Sequence, residues 1–140
     1  MLRHLQLEDY HKGYIELLSQ LSETGNISYE EFKFFYENLN KNHLILVFEK
    51  DNKIVSTGTL LIENKLIHNC GKVGHIEDIV THKDYRKQKL ASFIIFYLKK
   101  LAKQNNCYKI ILNCSSENKL FYENKINMTQ KGLCMAEYFK

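Results

Sequence analysis

The segment from Gly74 to Leu101 constrains the fold of this chain most. Gly74-His75-Ile76-Glu77-Asp78-Ile79-Val80-Thr81 reads as a strand carrying two adjacent acids. A short polar turn leads into Tyr85-Arg86-Lys87-Gln88-Lys89-Leu90-Ala91, and the chain then continues in an apolar helical run. From Leu90 to Gln104 the spacing predicts a helix with Leu90, Phe93, Ile94, Tyr97, Leu98 and Leu101 on one face. A strand, a basic turn and a helix in this order gather backbone N–H groups and positive charge at a helix N-terminus, which suits a diphosphate. The two carboxylates stand one strand-length away, where proton chemistry could occur.

The flanking sequence predicts a mixed sheet. Leu2–Leu7 alternates as a short first strand, and Tyr10–Leu21 has Tyr14, Leu17, Leu18 and Leu21 at helical spacing. Ser28-Tyr29-Glu30-Glu31 reads as a capping box that opens a helix running to about Asn40. His43–Glu49 and Ile54–Ile62 are strands joined by a hairpin through Lys50-Asp51-Asn52-Lys53. The chain turns again over Lys65–Lys72. Lys109–Cys114 is expected as a buried strand, Ser116–Asn124 as a short helix and Gly132–Phe139 as a last strand. An antiparallel front and a βαβ rear in one sheet make the fold class α/β (α+β), with the long helix laid on one face. There is no repeat and no linker, so residues 1–140 are expected to form a single domain.

Composition narrows the function classes. Of the 140 residues, 44% are hydrophobic and 26% charged, as in ordinary soluble domains. No apolar run approaches the roughly 20 residues of a membrane span, and the N-terminus has no apolar signal core, so a cytoplasmic protein with no membrane partner is expected. The net charge of +4 is too small to imply nucleic-acid binding, and basic and aromatic residues are not interleaved. The excess is local: Lys83, Arg86, Lys87 and Lys89 stand against Asp84 alone. Cys70, Cys107, Cys114 and Cys134 form no C-x-x-C pair, so no metal site is expected, and Cys107 and Cys114 read as reduced, partly buried packing residues.

Several blocks together resemble the GNAT N-acetyltransferases and, within them, the branch that acetylates glucosamine 6-phosphate. They are Leu21-Ser22-Glu23-Thr24-Gly25, Ile62-Glu63-Asn64-Lys65-Leu66-Ile67-His68, Gly74-His75-Ile76-Glu77-Asp78-Ile79-Val80, Cys107-Tyr108-Lys109-Ile110-Ile111-Leu112-Asn113-Cys114 and Glu117-Asn118-Lys119-Leu120-Phe121-Tyr122-Glu123. The resemblance implies the GNAT fold, a twisted and mostly antiparallel sheet flanked by helices with a β-loop-α coenzyme motif. It implies acetyl-CoA as co-substrate, glucosamine 6-phosphate as acceptor, a step toward UDP-N-acetylglucosamine and a homodimer. Ile79, Val80 and Thr81 are then expected to pair with the pantetheine amides as an added strand does. Arg86, Lys87, Gln88, Lys89, Leu90, Ala91 and Ser92 are expected to cradle the diphosphate, with Asn118 and Tyr122 also at the coenzyme. Tyr122 is the expected acid for the departing thiolate. Glu77 and Asp78 match sugar-binding acids and are the candidate bases. Strand alternation points them to opposite faces, so one side chain is expected to reach the amine. Lys65, Leu66, Ile67 and His68 match a sugar-contacting segment, Tyr108 and Lys109 match positions that reach a partner subunit's sugar, and Asn113 joins the substrate set.

The chain departs from that pattern at four places. The diphosphate turn has no glycine, and a lysine in the left-handed conformation that glycine permits costs roughly 1–2 kcal/mol. In the ordinary α region that cost vanishes. Asn113 stands where the family has an acid, Tyr138 where it has a phosphate-binding arginine, and Ile126-Asn127 where it has Gly-Phe. These departures keep two alternatives open: a GNAT acetyltransferase for another small amine or a peptide N-terminus, and a catalytically weak CoA-binding module.

Overall fold

The computed structural model describes residues 1–139. Five strands form one sheet in the order β1 (Leu2–His4), β2 (His43–Lys50), β3 (Lys53–Asn64), β4 (Lys72–Thr81) and β5 (Cys107–Ile111). The first three pairings are antiparallel and β4–β5 is parallel. The helices are α1 (Tyr14–Ser19), α2 (Tyr29–Glu37), α3 (Ile67–Cys70), α4 (Leu90–Gln104) and α5 (Lys119–Asn124).

Local chemistry accounts for most boundaries. At α2 the Glu31 amide donates to Ser28 Oγ at 3.1 Å and the Ser28 amide donates to Glu31 Oε1 at 3.2 Å, the reciprocal box expected there. The β2–β3 hairpin closes through Asp51 (φ 51°) and Asn52 (φ 60°), the two left-handed residues a tight two-residue turn requires. The expected helix over Tyr10–Leu21 is instead two pieces, a 3-10 turn (Leu7–Lys12) and α1, because Gly13 at φ 83° ends the first. The first strand likewise stops at His4.

The sheet has a core on each face. Along β2, Leu46 faces α4 whereas Ile45 and Val47 face α1 and α2, as strand alternation requires. On the α4 side, Leu46, Leu60, Ile62 and Ile76 meet Ile94, Ile95, Leu98 and Ala102. On the other, Ile45, Val47, Ile54 and Val80 meet Leu5, Tyr14, Leu17 and Phe32. The buried stripe of α4 is rotated from the expected one, with Ile95 and Ala102 inside and Phe93 outside against Phe48 and Tyr97. No side chain caps α4 at Lys89. A missing cap costs about 1 kcal/mol, and each fully buried Ile or Leu contributes about 1.5–3 kcal/mol, so packing holds this helix in place.

Two expectations fail at the C-terminal end. Lys109–Cys114 is not a buried strand: β5 spans Cys107–Ile111 at the sheet edge, and Tyr108, Lys109 and Ile111 are exposed, as is Cys114 beyond it. Gly132–Phe139 forms no strand, because no neighbouring strand of this chain pairs with it. Its large side chains stand in solvent, with Leu133 83%, Met135 87% and Tyr138 94% exposed.

Candidate active site

The site begins where β4 and β5 part. Their parallel pairing covers only Lys72–His75 against Cys107–Ile111. From Glu77 onward β4 is bonded to β3 alone, so Ile79, Val80 and Thr81 keep one backbone edge unpaired. That edge fits an extended ligand carrying amides.

A bulge directs the same segment. Thr57 pairs with Val80 and Thr59 with Glu77, so Asp78 and Ile79 stand opposite Gly58 alone. Asp78 takes a left-handed backbone (φ 52°), and the face alternation slips by one residue. Glu77 and Asp78 are both exposed, and the Asp78 charge is felt by the Tyr14 hydroxyl on the α1 side. Burial, with Asp78 adding to it, pushes that hydroxyl up to about 12. The expectation that the two acids point to opposite faces is therefore corrected, since it assumed a regular strand. Gly58 was not singled out from the sequence. Its signal was an isolated glycine inside a strand, which marks a bulge or a close approach.

The basic turn follows. Arg86 Nε donates to Thr81 O at 3.4 Å, folding the guanidinium back over the end of β4. Lys87 (φ 66°) and Lys89 (φ 62°) both lie in the left-handed region, so the glycine-free turn keeps the strained backbone. The first helical bond of α4 runs from the Phe93 amide to Lys89 O at 3.0 Å, and the amides of Leu90, Ala91 and Ser92 have no helical partner. Gln88 lies between the two left-handed lysines. Three free amides beside Arg86, Lys87 and Lys89 form a cradle for an anion.

Past β5 the chain runs on in the direction of β4, carrying Asn113 and Cys114 toward the acid end. Asn118 closes a 3-10 turn (Ser116–Asn118), and Tyr122 follows on α5. Asn118 is exposed; Tyr122 is half-buried against the α4 core with Phe121 at 5.0 Å. Burial, then the neighbouring Cys114, holds the Tyr122 hydroxyl above the ordinary tyrosine value. It is therefore protonated at neutral pH and able to donate.

A second cluster gathers elsewhere. α3 is a single left-handed turn, with His68, Asn69 and Cys70 all near φ 55°. The His68 ring stacks on Tyr108 with centroids 4.2 Å apart, and Lys109 Nζ lies 5.7 Å from the Tyr108 ring. Lys65 pairs with Glu63 at 3.1 Å, and Leu66 and Ile67 are exposed. Lys65–His68 and Tyr108–Lys109 thus come together, but at the start of β4. Lys72 to Glu77 spans about 16 Å of strand, so within one chain this cluster does not join the acids. Among the described residues no group of His, Cys, Asp and Glu could hold a metal ion, and no helix is long and apolar enough to cross a membrane.

Comparison with known proteins agrees with this geometry. The profile of the acetyltransferase (GNAT) family matches residues 2–124. A glucosamine 6-phosphate N-acetyltransferase of Arabidopsis thaliana is 43% identical over 143 residues, covering 99% of this chain and 95% of that protein. One from Candida albicans is 43% identical over 125 residues, covering 86% and 84%. The crystal structure of glucosamine-6-phosphate N-acetyltransferase from Arabidopsis thaliana superposes with a TM-score of 0.97 at 41% identity, over 100% of this chain and 98% of that one. By its sequence, its sheet and its parted strands, the chain belongs to the GNAT acetyltransferase family.

Proposed function

We propose that this chain transfers the acetyl group of acetyl-CoA to the amine of glucosamine 6-phosphate, giving N-acetylglucosamine 6-phosphate and CoA. The observation that carries the coenzyme assignment is the unpaired edge Ile79–Thr81, which leads directly to the free amides of Leu90, Ala91 and Ser92. The relatives named above support the acceptor. When bound, acetyl-CoA supplies an acetyl carbon activated by a thiolate leaving group.

The chain's own residues do the rest. The backbone of Ile79, Val80 and Thr81 aligns the pantetheine arm, and Arg86 through Ser92 holds the diphosphate by N–H donors and cations. Glu77 or Asp78 takes the proton that the sugar ammonium must lose before it can attack. Tyr122 gives its hydroxyl proton to the departing sulfur, and Asn118 orients the same end of the coenzyme. Asn113 is a neutral amide and leaves the base work to the β4 acids.

We also infer a homodimer. The exposed arm 129–139 carries Leu133, Met135, Tyr138 and Phe139 without cover in its own chain, and a second copy is its occupant. A second copy would also bring the Lys65–His68 and Tyr108–Lys109 cluster to the acids of the first. A cytosolic setting suits the four free cysteines.

The test is thiol release from acetyl-CoA against a panel of amines. Release with glucosamine 6-phosphate alone supports the reading. Release only with a polyamine or a peptide N-terminus would transfer the assignment to that acceptor, a second reading favoured by Tyr138 standing exposed in place of an arginine. Thermal stabilisation by CoA without turnover would mark a binding module. Lys109→Ala is expected to raise the KM of the sugar.

A further inference from the structure

We infer that Gln20 and His82 are positioning residues for the coenzyme: they fix the backbone of the turn Lys83–Tyr85 and, through it, the geometry of the strained basic turn that follows. The inference rests on the coenzyme assignment above and extends it to two side chains outside the anion cradle.

The cradle needs support from outside. Lys87 (φ 66°) and Lys89 (φ 62°) hold a backbone that a lysine keeps only under constraint. Within the turn that constraint is slight: Arg86 Nε reaches Thr81 O at the long distance of 3.4 Å, and no side chain caps α4. The two ends of the turn therefore set its geometry. The far end is α4, seated on the core by Ile94, Ile95 and Leu98. The near end is the 3-10 turn Lys83–Tyr85, which buries no residue of its own.

Hydrogen bonds hold the near end instead. The His82 amide donates to Val55 O at 2.8 Å, and the Tyr85 amide donates to His82 O at 2.8 Å. Side chains take the two amides between them. The Lys83 amide donates to Oε1 of Gln20, the residue that closes α1, at 2.9 Å. The Asp84 amide donates to His82 Nδ1 at 3.1 Å, in the place that an Asn or Ser oxygen fills at an ordinary N-cap. The His82 ring is set for this task. Its side chain is 12% exposed, it meets the Tyr85 ring edge-on with centroids 5.7 Å apart, and Nε2 lies 3.3 Å from Lys53 Nζ on β3. All four amides from 82 to 85 are thus bonded just before the strained residues. Gln20 ties the turn to α1, and Val55 ties it to β3. With either side-chain acceptor gone, the turn can swing, Lys87 and Lys89 can relax, and the cations lose their alignment with the free amides of α4.

Calorimetry with CoA and steady-state kinetics with acetyl-CoA test this on the full chain. Gln20→Ala and His82→Ala are each expected to raise the Kd for CoA about fivefold to tenfold, the loss of one hydrogen bond. The KM for acetyl-CoA should rise in parallel while kcat at saturation stays unchanged, because bound coenzyme restores the turn. His82→Asn should bring the Kd back to within about twofold of the unaltered chain, since its side-chain oxygen accepts the same amide. An unchanged Kd in either alanine variant, a fall in kcat with KM unchanged, or His82→Asn binding as weakly as His82→Ala would overturn the inference and leave the acetyltransferase reading standing. Should His82→Ala fail to fold, Gln20→Ala and His82→Asn carry the test. If the unaltered chain binds no CoA, both readings fall.

Discussion

Ile76 and Val80 lie four residues apart on one strand yet pack into opposite cores, Ile76 under α4 and Val80 against α1 and α2. In a regular strand they would share a face. The bulge at Asp78 and Ile79, opposite Gly58, shifts the alternation by one. The shift lies just beyond His75, where the pairing with β5 ends, on the segment whose free edge is assigned to the coenzyme.

Gly58 is the residue that stands opposite this bulge. A Cβ there would lie 2.5 Å from Ile79 Cδ1, 2.8 Å from Ile94 Cγ2 and 3.1 Å from Leu98 Cδ1. Ile94 and Leu98 are fully buried and cannot retreat. Gly58→Ala is expected to lower stability by about 1–3 kcal/mol, read from denaturant midpoints, and to weaken CoA binding because Ile79 must move. Retention of both properties would mean that the bulge relaxes without consequence.

Lys89 combines strain with charge. Its left-handed backbone is one that glycine adopts freely. Lys89→Gly should raise stability by about 0.5–1 kcal/mol, the relieved strain being partly offset by the extra freedom of glycine in the unfolded chain. The same change removes an ammonium from the anion cradle and should raise the Kd for CoA. A stability gain with unchanged affinity would show that the lysine contributes nothing to binding.

Tyr122 is tested by kinetics. Tyr122→Phe is expected to lower kcat about a hundredfold with little change in the KM for acetyl-CoA. Burial holds the hydroxyl above its ordinary value, so it remains a proton donor through neutral pH. Any alkaline loss of rate that it causes must come at higher pH than an ordinary tyrosine would give, and vanish in the phenylalanine variant. An unchanged rate would remove it as the acid, leaving an aromatic that packs beside Phe121.

The N-terminal ion cluster makes stability depend on pH in the acid range. Arg3 Nη2 donates to Asp9 Oδ1 at 2.7 Å and to Glu49 Oε1 at 2.6 Å, and Lys12 Nζ donates to Glu49 Oε2 at 3.0 Å. Asp9 is fully buried, so Arg3→Ala should cost about 3–5 kcal/mol by leaving that carboxylate without its partner. Arg3, then Lys12, holds the Glu49 carboxyl below its ordinary value of 4.5. Its contribution is present above the unfolded-state value and is lost as pH falls through the lower folded-state value. Glu49 is part-exposed, so this contribution is modest. Urea midpoints between about pH 3 and pH 6 should fall with pH, and Glu49→Gln should flatten that slope.

Local rules made much of the fold legible. The Ser28–Glu31 box, the Asp51–Asn52 hairpin and the span of α4 follow from hydrogen-bonding groups and apolar spacing within a few residues. The basic turn before α4 was legible for the same reason, because its parts are adjacent in sequence. The strand expected at Gly132–Phe139 was misread: alternation reports what a segment could bury, not whether its own chain supplies a neighbour.

By itself the sequence determined most of the elements, the family and the kinds of group available: two acids, a basic turn and a tyrosine on a helix. Only the tertiary structure decided that Glu77 and Asp78 escape strict alternation, that Lys87 and Lys89 hold a left-handed backbone, and that His68 reaches Tyr108 rather than the acids. Periodicity and capping are short-range and can be read along the chain. Bulges, strained dihedrals and the meeting of distant loops are set by contacts between elements, where packing energy outweighs local preference.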